Sequence, residues 1–204
     1  RLRAAGVPEG NMKTDRRSRK TIGAIQNTTL QLLCTRRLGE IKIVDLCMAA
    51  DINRTTFYLH FRNIREVLAS LCNEIADRIN ADKRAAAFPK MGGTLEFLTS
   101  CAAVIGNFEY FEEFVRKSAD ADVFLTSLKN VLADRLYAHF CELYANVQLE
   151  AKCIIRFLTG GVLDIYAEWL RTDKTVSLET LLNLCAPMVR AGQDLLEKMA
   201  GDPT

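Results

Sequence analysis

Residues 43 to 61 run Ile43-Val44-Asp45-Leu46-Cys47-Met48-Ala49-Ala50-Asp51-Ile52-Asn53-Arg54-Thr55-Thr56-Phe57-Tyr58-Leu59-His60-Phe61. The apolar spacing predicts a short helix over residues 43–50, broken by Asp51-Ile52-Asn53, and a second over Arg54 to His60. Asn53 is the residue type that accepts a hydrogen bond from the first free N–H groups of a helix, so it is the expected N-cap of the second. Two short helices joined by a tight turn behind a longer first helix make a helix-turn-helix, and its second helix has the size to enter a DNA major groove. The chemistry agrees with that geometry. Arg54, Thr55 and Thr56 fall in the N-terminal turn, where Arg can donate two bonds to guanine and Thr offers a hydroxyl or a methyl. Tyr58 and His60 can donate to phosphate oxygens, and Phe57 and Phe61 are spaced to anchor the helix in a core.

The run is similar to the DNA-binding signature of the tetracycline-repressor (TetR) family, where a small turn leads to Ser or Asn, a few contact residues, and Thr-Phe-Tyr-x-His-Phe. The match covers about residues 18–70. The resemblance implies that Arg54, Thr55 and Thr56 lie at base edges, that Tyr58 and His60 hold phosphates, and that Asn53 caps the recognition helix. Asp51 stands where the family commonly has Gly, and Asp tolerates the left-handed backbone better than most residues. Lys42 replaces a capping Thr or Ser, which weakens that cap and adds a cation for phosphate. Ile64 takes the place of a phosphate-binding Lys, leaving Arg62 or Arg65 to supply that contact.

Outward from the motif, charge is divided. Residues 1–65 hold 13 Lys/Arg against 5 Asp/Glu, a balance of +8, and residues 66–204 hold 14 against 20, a balance of −6, so the formal net charge of +2 hides a basic front and an acidic back. Arg16, Arg17, Arg19 and Lys20 are read as a basic arm preceding a first helix over 18–34, able to contact phosphate or trail into a minor groove. Arg17 is the candidate contact among them. Residues 1–11 precede Met12 and are read as a leader outside the fold. The helix-turn-helix domain is placed at 12–62 and a connecting helix at 63–82, starting at Asn63 with Leu68, Leu71, Cys72, Ile75 and Ile79 along one stripe. Pro89 and Gly92-Gly93 mark 86–93 as a linker or loop, and 83–204 as an effector-binding and dimerisation domain. Helical spacing continues to the end, with helices near 121–145, 148–171 and 177–199. The chain reads as all-α, with about nine helices. Pro187 is expected to bend or interrupt the last.

The region from Phe97 to Phe140 is aromatic and cysteine-rich, which suits a core or the wall of an apolar cavity. The TetR resemblance implies the cavity, with Phe97, Cys101, Phe108, Phe111, Phe124 and Tyr137 as candidate lining. Leu158, Val162 and Ile165, with a heptad-like seam through Leu181, Cys185, Met188 and Leu195, are the candidate dimer interface. One recognition helix reads only a few base pairs, and a twofold dimer reads two half-sites about 34 Å apart. The expected protein is a homodimeric repressor on a pseudo-palindromic double-stranded DNA operator, released by a small apolar or amphipathic effector through the long connecting helix.

Other classes have less support in the sequence. The seven cysteines are scattered with no C-x-x-C, and only His60 and His139 could add nitrogen ligands, so no metal site is expected. The cysteines read as small buried hydrophobes in a reducing cytoplasm. Asp164 and Glu168 sit four apart, but no nucleophile, oxyanion donor or phosphate loop accompanies them, so neither an enzyme nor a cofactor is expected. No stretch of 18 apolar residues occurs, which argues against a membrane span. Two alternatives remain: a thiol-based redox sensor using Cys34, which precedes Thr35-Arg36-Arg37, and a helical ligand carrier without DNA activity.

Overall fold

The computed structural model describes residues 9–81, 93–143 and 149–200. Among them, nine α-helices and a 3-10 turn form the fold, with no strand. In order these are α1 (Glu9–Leu33), the 3-10 turn Leu38–Glu40, α2 (Ile43–Ala49), α3 (Arg54–His60), α4 (Ile64–Ala81), α5 (Thr94–Gly106), α6 (Phe111–Lys117), α7 (Ala121–Leu143), α8 (Leu149–Arg171) and α9 (Leu178–Ala200).

The first helix departs from expectation. It starts at Glu9, inside the supposed leader, so Arg16, Arg17, Arg19 and Lys20 lie on α1 rather than on an arm before it. Arg and Lys are good helix formers, and these turns carry no apolar stripe to announce themselves. The predicted linker over 86–93 lies outside the described residues except for Gly93, which stands at the N-cap of α5. Pro187 does not interrupt α9, which runs through it at an exposed position.

One main apolar core runs through both halves, beside a smaller cluster of Ala133, Phe140, Ala151, Ile155 and Leu196 where α7, α8 and α9 meet. Ile25, Leu30 and Leu33 of α1, Leu46 of α2 and Phe57 of α3 meet Val67 and Leu71 of α4, all nearly or wholly shielded from water. Further along α4, Ile75 and Ile79 pass into the second half of the same core, with Phe97, Ile105, Leu128, Leu163 and Leu170. Thus α4 is built into both halves. A second bridge joins α1 and the 3-10 turn to the segments flanking α6: the Asn27 amide donates to the Glu109 carboxylate at 3.2 Å, and the Leu38 N–H donates to Asp120 at 2.8 Å. Behind α6, the Arg171 guanidinium of α8 donates to the Val115 carbonyl at 3.3 Å and pairs with Asp122.

Two polar pairs sit inside the apolar packing. The Thr94 hydroxyl donates to the Gln193 side-chain oxygen at 2.6 Å, and the Gln26 amide donates to the Ser70 hydroxyl at 3.3 Å. Each satisfies groups whose burial alone would be costly, and each fixes one helix against another.

Candidate functional site

The turn between α2 and α3 shows why the motif folds as it does. Asp51 takes the left-handed conformation at φ 52, as its residue type permits. The Ala50 N–H donates to the Leu46 carbonyl and the Ile52 N–H to the Cys47 carbonyl, closing the end of α2. The chain then turns extended at Asn53, whose side-chain oxygen accepts from the Thr56 N–H at 2.7 Å and from the Thr56 hydroxyl at 2.9 Å. This fully formed N-cap sets where α3 begins. Thr56 is thereby committed to the cap, and its hydroxyl faces back to Asn53 rather than outward. Lys42 caps α2 by backbone position only, with no side-chain bond, leaving its ammonium exposed.

Two aromatic anchors hold α3 in place. Phe57 is fully buried, with Phe61 6.1 Å away between ring centroids and Tyr58 edge-on at 5.5 Å. Tyr58 is half exposed, so its hydroxyl end points away from the core, and Arg54 and Thr55 are exposed beside it. His60 is half-buried against Phe61 at 6.4 Å. At the start of α4, Asn63 accepts from the Glu66 N–H at 3.0 Å and Glu66 accepts from the Arg62 N–H at 2.6 Å, a reciprocal cap. Arg62 and Arg65 project into solvent, Arg62 in a loose 3.9 Å pair with Glu66. Arg17 is exposed on α1. Sequence reasoning passed over Leu59, which is 76% exposed on α3, and over Val44 and Met48, exposed on α2. Large aliphatic groups left in water on both helices of the motif are the signal.

In the second half, α4, α5, α7, α8 and α9 enclose an apolar cavity of about 90 Å³. Of the candidate lining residues, Phe97 and Cys101 lie in its wall. Four other candidates do not. Phe111 and Phe124 pack edge-to-face at 6.2 Å, with Phe114 5.4 Å from Phe124, in a solid cluster. Phe108 lies under the Arg78 guanidinium at 4.4 Å, and Tyr137 sits below Lys152 at 5.4 Å and bonds to Cys141. Aromatic rings fill space best against each other, and spacing in the chain does not say which rings meet.

The expected dimer seam also divides. Leu158, Val162, Leu181 and Cys185 turn inward and line the cavity, and Ile165 packs against the same core. Met188 and Leu195 face out, joined by Phe157 and Leu184, which the seam had missed and which are 80% and 60% exposed. Gly192 marks the boundary, since a Cβ there would come within 2.5 Å of Leu158 Cδ1.

Among the described residues, no group of three His, Cys, Asp or Glu is placed to hold a metal, and no helix is long and apolar enough to cross a membrane. Asp164 pairs with Lys129 at 2.7 Å and Glu168 with Arg171 at 4.0 Å. Cys47, Cys72 and Cys185 are buried, but Cys141 and Cys153 are exposed, contrary to the expected burial. The Cys34 thiol donates to the Leu30 carbonyl at 3.2 Å, and burial, reinforced by Glu113, raises its pKa above 9.0. A thiolate sensor needs the opposite environment.

No family model matches the chain, and no curated protein matches its sequence. Solved structures do. A TetR transcriptional regulator from Streptococcus agalactiae is 23% identical with a TM-score of 0.54, over 88% of this chain and 98% of that one. A structure assigned to the TetR family from Syntrophomonas wolfei is 15% identical with a TM-score of 0.62, over 87% and 95%. The dihydroxyacetone kinase operon activator DhaS is 22% identical with a TM-score of 0.52, over 87% and 98%. At these identities the likeness is one of fold. The chain has the all-helical architecture of TetR-family regulators along most of its length.

Proposed function

We propose that the protein is a DNA-binding transcriptional regulator, acting as a homodimeric repressor whose operator affinity falls when a small molecule enters the cavity of the C-terminal half. The observation that carries this reading is the recognition helix: α3 starts at a complete Asn53 cap, is pinned by buried Phe57 and Phe61, and leaves Arg54, Thr55 and Tyr58 in solvent. An exposed Arg and an exposed phenol on a rigid helix beside Lys42, Arg62 and Arg65 suit base edges and phosphates. The fold-mates support the regulatory class; one is named an activator, and the sign of control follows from where the operator lies relative to the promoter.

The outer face of α8 and α9, with Phe157, Leu184, Met188 and Leu195 in water, is the proposed dimer surface. Helix α4 couples the two functions, because Val67 and Leu71 are part of the α3 core while Ile79 lines the cavity. A ligand shifts such an equilibrium only by its difference in affinity for the two states, about 5.5 kcal/mol for a full reversal.

Binding-site selection with the purified protein, followed by fluorescence anisotropy on the selected duplex, tests the reading. Arg54→Ala is expected to weaken operator binding by about 1–3 kcal/mol and to relax preference at one base pair. Unchanged affinity would sink the recognition-helix assignment, and a protein that selects no DNA would instead be a helical ligand carrier.

A further inference from the structure

The part of α3 that stands farthest from the core carries no charge. Phe57 faces inward with no exposed surface. Thr55 and Leu59 each lie two positions from it, about 160° around a helix that turns about 100° per residue. They are four apart, so they stack one above the other as a ridge along the outer side of α3. Arg54 and Tyr58 lie on a flank, about 60° and 100° from Phe57. Thr56 is held back by Asn53. At the crest itself Leu59 is 76% exposed, and Thr55 is exposed one turn before it.

We propose that Leu59 reads a thymine in each half-site, its isobutyl group packing on the C5-methyl in the major groove with the Thr55 methyl beside it. This deepens the regulatory reading above and rests on it for the docking of α3 in the groove.

The chemistry of base edges selects the thymine. Its methyl is the one apolar group that the four bases present in the major groove. A Leu side chain offers no hydrogen bond to the other groups on those edges, so it discriminates by the methyl alone. Contact removes the isobutyl surface and the methyl from water together, which is the favourable step.

Charge selects DNA as the occupant of the ridge. Helix α3 contains no Asp or Glu, and Lys42, Arg54, Arg62 and Arg65 are exposed on the same helix-turn-helix and its flanks. An aliphatic crest on a surface of that sign suits a polyanion with an apolar group in its groove. The mounting is also firm. The Asn53 cap fixes the first turn of α3, and Phe57 and Phe61 hold the helix to the core, so the ridge is presented without further ordering of the backbone.

A uracil scan of the selected duplex tests the proposal, because deoxyuridine differs from thymidine only by the missing methyl. Each thymine of one half-site is replaced in turn, and affinity is read by fluorescence anisotropy at fixed salt. The full chain is expected to lose about fourfold at one thymine, the effect of one buried methyl. Leu59→Ala should weaken binding to the parent duplex by about fourfold or more and become indifferent to uracil at that thymine, whereas Leu59→Met keeps the response. The urea midpoint of both variants should match the parent, since Leu59 already lies in water in the free chain. Two results overturn the proposal. A methyl effect that survives Leu59→Ala assigns the contact to another residue. A duplex with no thymine whose methyl matters leaves Leu59 to an apolar patch with the exposed Val44 and Met48 of α2, a surface for a protein rather than a base. The two readings fail separately: a chain that selects no DNA sinks the regulator and the contact with it, and DNA binding with no methyl effect dependent on Leu59 sinks only the contact.

Discussion

Asn53 shows how much one side chain can decide. Its single oxygen satisfies two donors of Thr56 and fixes the first turn of α3, so that Arg54 and Thr55 are presented outward. Asn53→Ala is expected to cost about 1 kcal/mol of stability, read as a lower urea midpoint, and to weaken DNA binding beyond that through fraying of the same turn. Buried titratable groups give a second prediction at this scale. Burial pushes the Cys72 thiol from 9.0 to about 12 and, with help from Glu112, the Tyr166 phenol from 10.0 to about 12. In the unfolded chain both ionise at their ordinary values, so above pH 9 the unfolded state releases protons that the folded state retains. Stability is therefore full below pH 9 and is lost as pH rises toward 12, by about 1.4 kcal/mol per pH unit for each group ionised only in the unfolded state. Urea titrations from pH 7 to 11 should show a flat region and then a fall, and Tyr166→Phe should make the fall shallower above pH 10.

Among the elements, α8 and α9 carry the most information that spacing alone misassigned. Both helices are apolar on more than one side, and a stripe one residue to either side satisfies the same periodicity. Leu158 and Cys185 turn inward and their chain neighbours Phe157 and Leu184 outward, a shift of one position in the chain and about 100° around each helix. Close approach at Gly192 sets that rotation, since Leu158 occupies the space a Cβ would need. Gly192→Ala is expected to change stability by less than about 1 kcal/mol, because better helix propensity offsets a displaced flexible side chain. A loss of several kcal/mol in urea unfolding would contradict the packing described for this pair of helices.

For the whole molecule, the charge division and the exposed α8–α9 face act together. On the proposed reading, the basic helix-turn-helix at one end and the acidic body leave one surface suited to a polyanion, and pairing through the α8–α9 face would present two such surfaces to one duplex. Met188→Glu is expected to convert a dimer to monomer in sedimentation velocity and to reduce operator affinity at least tenfold, while far-ultraviolet circular dichroism stays unchanged because Met188 is 55% exposed in the single chain. A variant that remains dimeric would move the proposed interface elsewhere.

Local chemistry made the front of the molecule legible. The Asn53 cap, the left-handed Asp51, the α2 and α3 spans and the anchoring roles of Phe57 and Phe61 follow from interactions within a few residues, which the order of side chains specifies directly. The polar start of α1 escaped notice because it has no stripe, although its residues favour helix. The cavity was another matter: Phe97 and Cys101 reach it, but Phe108, Phe111, Phe124 and Tyr137 are taken up by neighbours distant in the chain. The sequence by itself determined the helical class, the helix-turn-helix and the division of charge, because those depend on nearest neighbours and composition. Which faces of α7, α8 and α9 became wall, core or outer surface was decided only by tertiary packing, where the rotation of each helix is set by contacts between residues far apart in the chain.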